Sequence, residues 1–309
     1  MAGRVLVSEG DKLSVKLVDL KDPCAIIPNV AIHMNRQANE GYKWNPAVDT
    51  LPLIGSAGTA GKLPALLEKE AGGKILGHDL YLYIRQKASV WGVDEEYISS
   101  AALDDLECAW GCTQGFLKGG DSASIPVLCV FDSEEVGSVS PQGAGSSLLE
   151  DTLGRICDGL KLNRGRMLAQ SFLVSADNAH AIHPNHPEYT DVNNCTYMNK
   201  GVVIKTHAGQ KYTSDGMSVA AARELAARAG VPLQYFANRS DKVGGSTLGN
   251  LAMAQVSMNC VDIGLPQLAM HSCYETAGAE DTLSLIKLMQ ELYSSHFEET
   301  AFGTLSISK

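Results

Sequence analysis

The chain lacks the features that mark membrane-spanning and nucleic-acid-binding proteins. It contains no run of about 18 apolar residues, which a membrane-spanning helix would need. Its 25 lysines and arginines are outnumbered by 35 aspartates and glutamates, whereas nucleic-acid-binding surfaces are basic. The first residues also lack the apolar core of a secretory signal peptide. We therefore expect a cytoplasmic protein with neither a membrane nor a nucleic acid as its partner.

The eight cysteines include no C-x-x-C pair. Most of them lie in apolar stretches, which is typical of reduced, buried thiols rather than of a disulfide framework. Cys108 and Cys112 are four residues apart on a predicted helix, but no second cysteine or histidine pair lies near them in the sequence. We interpret both as core residues and not as zinc ligands.

Two segments with different patterns divide the chain. Residues 1–86 predict a small β-rich domain. Its predicted elements are strands at 4–7, 13–18 and 78–84 and a short helix at 63–71. Residues 87–309 alternate helices with buried strands, which is typical of a largely parallel or mixed sheet with helices on both faces. The predicted elements here are helices at 101–117, 146–160, 218–229 and 282–297 and strands at 125–131, 171–175 and 202–205.

Acidic and imidazole side chains cluster where the predicted strands of the second segment end. In open α/β sheets, ligands bind beyond the carboxyl ends of the strands. The clusters lie at 132–135, 175–180 and 270–272, and a further acidic pair at 104–105 opens a helix. Carboxylates with a histidine suit a catalytic divalent metal, and two metals can share one bridging carboxylate. The structural alternative makes Asp104 and Asp132 helix caps and His271 a core histidine, and the pattern by itself leaves both open.

Other catalytic motifs do not fit. Residues 55–62 resemble a phosphate-binding loop, but the glycine spacing is one residue too long, and Leu63 stands where a magnesium-binding hydroxyl belongs. The three histidines from His180 to His186 recur at every third position, but nearby prolines exclude a shared helical face. The G-x-S-x-G motif of serine hydrolases is absent around Ser133 and Ser138.

Seven longer motifs are more specific. They are IPNVAIHMNR (27–36), HDLYLY (78–83), DSEEVGSVSPQGAGS (132–146), SADNAHAIHPNHPEY (175–189), NKGVVIK (199–205), GGSTLGN (244–250) and GLPQLAMHS (264–272). In these motifs and in their order, the chain closely resembles the M18 family of metalloaminopeptidases, the aspartyl aminopeptidase and aminopeptidase I group. The resemblance implies a three-layer αβα sheet domain of the zinc-aminopeptidase type at 87–309. It also implies that the β-rich domain at 1–86 is a dimerisation and lid domain.

The resemblance also implies roles for individual residues. Asp104 would bridge two divalent metal ions. Glu135 and His271 would complete the ligands of one ion, and Asp177 would bind the other. Glu134 would be the general base. Zinc is the expected ion, with manganese and cobalt as alternatives.

A second set of residues would bind the substrate. The resemblance places His180, Lys200 and Tyr212 around the substrate pocket. His33 matches a family histidine that reaches the active site of a neighbouring subunit. A lysine near the pocket, Lys200 or Lys205, could select acidic side chains, although a surface or structural role is the simpler expectation for each.

The sequence departs from the family pattern at its start. Family members carry an N-terminal segment with an H-T-D motif whose histidine ligates the second metal, and no H-T-D occurs in this chain. We therefore expect the second site to bind metal weakly.

The expected function is a metal-dependent aminopeptidase that hydrolyses the N-terminal residue, Asp or Glu in the aspartyl branch, from peptides. As in the family, we expect a homo-oligomer built from dimers and extending to a dodecamer. The alternative is a truncated, catalytically impaired chain that acts as an oligomer partner or non-enzymatic fragment.

Overall fold

The chain folds as two units, Met1–Arg85 and Gln86–Lys309, in a computed structural model that describes all 309 residues. The elements of the first unit are β1 (Ala2–Glu9), β2 (Lys12–Asp19), α1 (Pro46–Asp49), α2 (Lys62–Ala71) and β3 (Ile75–Tyr81), with one short 3-10 helix at Ala38–Glu40. β1 pairs antiparallel with β2 on one side and β3 on the other. Alternate residues of β1, Val5 and Val7, are buried and pack with Leu67 of α2, as the period of two in a strand requires.

The second unit holds the remaining elements. Its strands are β4 (Ser89–Trp91), β5 (Tyr97–Ser100), β6 (Phe172–Ala176), β7 (Ala179–His180), β8 (Val202–Thr206), β9 (Leu233–Ala237), β10 (Asn259–Gly264), β11 (Pro266–Leu268), β12 (Glu275–Gly278), β13 (His296–Ala301) and β14 (Thr304–Ser308). Its helices are α3 (Leu103–Lys118), α4 (Leu148–Leu160), α5 (Arg164–Ala169), α6 (Gly216–Ala229), α7 (Leu248–Gln255) and α8 (Asp281–Tyr293), with a 3-10 helix at Pro187–Tyr189.

The strands of the second unit form two main sheets. The first has the order β6-β10-β8-β9. In it β10 is parallel to β6 and antiparallel to β8, and β9 is parallel to β8. This is the mixed sheet that the alternating helix and strand pattern predicts. The second sheet has the order β4-β5-β12-β11-β7, and β13 and β14 form a separate hairpin.

Helices cover both faces of the first sheet, which gives three layers. Phe172 and Val174 of β6 belong to the core that α3, α6 and α8 cover, whereas Leu173 between them packs with α4 and α7. Because successive side chains of a strand point to opposite faces, these helices lie on opposite sides of the sheet. The α/β fold expected for this segment is confirmed.

Two sequence predictions about elements are wrong. Residues 125–131 are not a strand, since no other segment pairs with them; only Leu128 and Phe131 pack against the cores. Their apolar character predicted burial correctly in part. It does not show whether a second segment lies alongside to form the hydrogen bonds of a sheet. The helix expected at 282–297 ends at Tyr293, and His296 begins β13 instead. No helix of the chain is both long and apolar enough to cross a membrane.

Candidate active site

Asp104 stands where β5 passes into α3. Between the two elements Ala102 has a left-handed backbone with φ of 56°, and Asp104 itself is extended rather than helical. The Asp104–Asp105 peptide bond is cis. The Asp104 side chain is only 5% exposed, and its Oδ2 lies 3.1 Å from Nε2 of His271. Its carboxylate therefore faces the imidazole and does not cap the helix.

Glu134 and Glu135 lie in a tightly hydrogen-bonded turn after residues 125–131. The N–H of Gly137 donates to the carbonyl of Glu134 at 2.9 Å, and the N–H of Ser138 donates to the carbonyl of Ser133 at 2.8 Å. The turn directs Glu135 Oε2 to within 3.1 Å of His271 Nε2. Asp132, the other proposed cap, accepts instead from the N–H of Ser133.

These side chains form a first group of metal-type ligands. One ligand atom from each of Asp104, Glu135 and His271 lies within 4.8 Å of the others. The His271 side chain is 63% exposed, so it is not a core histidine. Two carboxylate oxygens and one imidazole nitrogen are a donor set that a catalytic zinc site uses while keeping a position open. The residues present therefore fit a divalent ion.

A second group shares Asp104 with the first. Ligand atoms of Asp104, Asp105 and Asp177 lie within 4.8 Å of one another. The Oδ1 atoms of Asp104 and Asp105 are buried without a hydrogen-bond partner. Because buried polar atoms are normally paired, these two oxygens suit a cation or a water as their partner. Asp105 was not among the predicted ligands, although its place next to Asp104 in the sequence was a visible signal.

The closely packed carboxylates raise one another's pKa values. Burial, followed by the charges of Asp177, Glu135 and Glu275, raises the pKa of Asp104 to about 8. Burial, followed by Asp177 and Glu135, raises the pKa of Glu134 to about 7. Like charges at close range oppose ionisation, and a bound cation would reverse this effect.

Lys205 is the buried cation of the site. Its side chain is 2% exposed, and its Nζ donates to the backbone carbonyls of Asp177 at 3.0 Å and Asn178 at 3.1 Å. Burial alone would lower the pKa of Lys205, but the charges of Asp177 and Asp262 outweigh it and raise that pKa. The ammonium also lies 5.4 Å from the centre of the Tyr212 ring. The surface position that we considered for Lys205 is thereby excluded.

One cleft of about 490 Å³ brings most of the predicted residues together. Its lining includes Asp104, Glu134, Glu135, Asp177, His180, Lys205, Tyr212 and His271. Lys200 does not line the cleft and is exposed beside Gly201, while Lys205 does. His33 lies in an exposed turn of the first unit.

The fold and the site together define a class. A carboxylate-rich ligand set in a cleft of an α/β domain is an arrangement that metal-dependent hydrolases use. The chain belongs to the M18 family, because residues 1–293 match the model of the aminopeptidase I zinc metalloproteases (M18). The resemblance seen in the sequence is thus confirmed.

Individual relatives support this membership. The chain is 42% identical over 306 residues to a probable M18 family aminopeptidase 2 of Clostridium acetobutylicum, covering 95% of this chain and 71% of the relative. It is similar to Ape4, solved by cryo-electron microscopy in a complex with Nbr1, with a TM-score of 0.87 and 33% identity, covering 95% of this chain and 62% of that one. It is also similar to prApe1, with a TM-score of 0.87 and 25% identity, covering 94% of this chain and 68% of that one.

Proposed function

We propose that the chain is a metal-dependent aminopeptidase that hydrolyses the N-terminal residue of peptides. The observation that carries this proposal is the ligand group of Asp104, Glu135 and His271, with Glu134 in the same cleft. One ion would be held by these three ligands. A second would be held by Asp104 and Asp177, with Asp105 beside them.

In the proposed mechanism Glu134 carries a proton, and Lys205 supports the backbone beside the metal ligands. A bound divalent ion would polarise the scissile carbonyl and lower the pKa of the attacking water, so that the water can lose a proton at neutral pH. Glu134 accepts the proton of the attacking water on its carboxylate and passes it to the leaving amine. Its carboxyl group suits this role by position, because Glu134 lines the same cleft as the first group of ligands. Lys205 holds the backbone carbonyls of Asp177 and Asn178 in place.

Substrate preference is the finer part of the proposal. The ammonium of Lys205 is already bound to the carbonyls of Asp177 and Asn178, which leaves His180 as the candidate for substrate selection. An imidazole N–H that donates into the cleft favours the side-chain carboxylate of an N-terminal Asp or Glu. Turnover of aspartyl, glutamyl and leucyl p-nitroanilides, measured with added Zn²⁺, Mn²⁺ or Co²⁺, compares these substrates and metals directly. A preference for leucine would contradict the acidic part and leave the aminopeptidase proposal intact.

Replacement of Glu134 tests the mechanism. We expect Glu134→Gln to lower kcat on the order of 10²- to 10⁴-fold, because the amide cannot accept the proton. Glu298→Gln is the matched control, since Glu298 is exposed on β13 and away from the cleft. Full activity in Glu134→Gln would show that Glu134 is not the base.

Metal content separates this proposal from the non-enzymatic alternative, in which the chain acts as an oligomer partner. An enzyme requires at least one ion per chain under conditions that support turnover. A chain that folds, assembles and binds no ion would favour the alternative. Sedimentation combined with elemental analysis measures both properties and also tests the expected homo-oligomer.

A further inference from the structure

Glu275 lies directly behind the first group of ligands and belongs to no motif that the sequence singled out. Glu275 is only 2% exposed. Each of its two carboxylate oxygens accepts a backbone hydrogen bond. Oε2 accepts from the N–H of Asp104 at 2.9 Å, and Oε1 accepts from the N–H of His271 at 2.7 Å. One buried carboxylate thus joins the main chains of two proposed ligands that are far apart in sequence.

Sheet topology explains how one residue reaches both ligands. β12 begins at Glu275 and lies between β5 and β11, antiparallel to each. Because of this direction, the carboxyl ends of β5 and β11 meet the start of β12. Glu275 pairs with Ser100, the last residue of β5. The segment that leads to Asp104 leaves β5, and the segment that carries His271 leaves β11, so both pass the Glu275 side chain.

The two segments need this support because their backbones are unusual. Ala102, Ala269 and His271 have φ values of 56°, 59° and 65°, in the left-handed region that residues other than glycine rarely adopt. Such conformations persist where surrounding contacts over-determine them. The bonds from Asp104 and His271 to Glu275 supply contacts of this kind on both segments.

We propose that Glu275 is a positioning residue that holds the Asp104 and His271 ligands at the separation a divalent ion requires. It acts through the main chain and touches neither the ion nor the substrate. Its buried negative charge adds to the attraction for a cation at the same site. This inference rests on the proposed metal centre, and it concerns binding of the ion rather than the hydrolysis that follows.

The test measures metal affinity directly. Glu275→Gln keeps the shape of the side chain, but its amide offers one acceptor oxygen for two N–H donors. We expect the variant to bind Zn²⁺ on the order of 10- to 100-fold more weakly than the wild type, in competition with a chromophoric chelator, as for other residues that orient ligands. With Co²⁺ as the probe, we expect its visible absorption spectrum to change, because the ligand geometry loosens.

Asp281→Asn is the matched control. Asp281 is also buried, and its two oxygens accept the backbone N–H groups of Asn199 and Gly201, none of which belongs to the ligand groups. We expect this variant to keep the wild-type Zn²⁺ affinity and Co²⁺ spectrum, whatever it does to stability. A purely structural role for Glu275 would make the two variants alike, with lower stability and unchanged affinity, and would overturn the proposal.

The outcomes separate this inference from the proposed function. If the wild type binds Zn²⁺ but hydrolyses no peptide, the function is wrong, while the affinities of the variants still decide the role of Glu275. If the wild type binds no Zn²⁺ at all, both fail. Should Glu275→Gln not fold, Glu275→Asp provides the second variant, since it keeps the charge but is shorter by one methylene. An unchanged Zn²⁺ affinity in Glu275→Asp would then overturn the proposal.

Discussion

Asp281, at the start of α8, is a carboxylate that folding buries almost completely. The residue is 1% exposed, and it receives the N–H groups of Asn199 at 2.6 Å and Gly201 at 2.8 Å. Burial raises the pKa of Asp281 to about 7, aided by the charges of Glu107 and Glu280, although the two hydrogen bonds oppose the shift. The folded chain therefore binds a proton at Asp281 under conditions in which the unfolded chain has lost it.

This difference predicts a pH dependence of stability. In the unfolded chain Asp281 titrates near 3.8, and in the folded chain near 7, so the folded form holds more protons between these values. The free energy of unfolding must then fall as pH rises from about 4 to about 7, by on the order of 2–4 kcal/mol from this group. Asp281→Asn removes the titrating group, and its unfolding free energy should fall less over the same range.

Urea unfolding of the metal-free wild type and variant across that range measures the effect. Other groups titrate as well, but they are common to both proteins and cancel in the difference. If the two curves of unfolding free energy against pH run parallel, Asp281 does not carry the proton.

Several candidate site residues could be predicted from the motifs that surround them. Glu134, Glu135, Asp177 and His271 lie in long motifs at the ends of apolar runs, and the cleft brings all four together. Glu275 gave no signal, because its role depends on which strands flank β12, and a sequence does not state strand order. Lys205 ends one of the motifs, but its burial could not be predicted before β8 was placed inside the sheet.

At the scale of elements, α3 and α8 approach closely because α3 has glycines on the contact face. A Cβ added at Gly111 would come within 2.7 Å of Leu285 Cδ2, the end of a flexible side chain. A Cβ added at Gly115 would overlap Met289 Cβ and would also lie 3.0 Å from the backbone nitrogen of Gln290. Side chains can rotate away but backbone cannot, so Gly115 sets the separation of the two helices.

Gly115→Ala should destabilise the fold. We expect the free energy of unfolding to fall by about 1–3 kcal/mol, the usual cost of overpacking a core, despite the better helix propensity of alanine. Gly154→Ala is the matched control, because Gly154 lies within α4 and an added Cβ there would meet only Arg164 Nη1 at 3.8 Å. That variant should be as stable as the wild type or gain up to about 1 kcal/mol. Thermal denaturation of both compares them; equal melting temperatures would contradict the packing argument.

Element type was predictable where apolar periodicity agreed with chain length and end signals. α6 was expected at 218–229 and is found at Gly216–Ala229, where Asp215 caps its start and Gly230 its end. The apolar run at 125–131 met the same criteria for a strand but has no partner. A helix forms its backbone hydrogen bonds within itself, whereas a strand forms them with a second segment. A strand prediction therefore holds only if such a segment lies alongside.

At the scale of the molecule, each unit has its own buried apolar cluster. In the first unit, Val5, Val7 and Val18 pack with α2, and in the second the main cluster joins β8 and β10 to α3, α6 and α8. The proposed ligands Asp104, Glu135, Asp177 and His271 all belong to the second unit and come from four separate stretches of it. An ion bound there would connect distant parts of one unit only.

Zinc should therefore stabilise the second unit selectively. A ligand that binds only the folded form at 100 times its Kd adds about 2.7 kcal/mol to stability, which slows amide exchange through unfolding about 100-fold. With Zn²⁺ compared with a chelator, we expect hydrogen exchange by mass spectrometry to slow in β6, β8 and β10 and to stay unchanged in β1, β2 and β3. Asp104→Asn should abolish the difference, since Asp104 belongs to both ligand groups. Equal slowing in both units would show that they unfold together. No slowing in either unit would contradict the proposed metal centre.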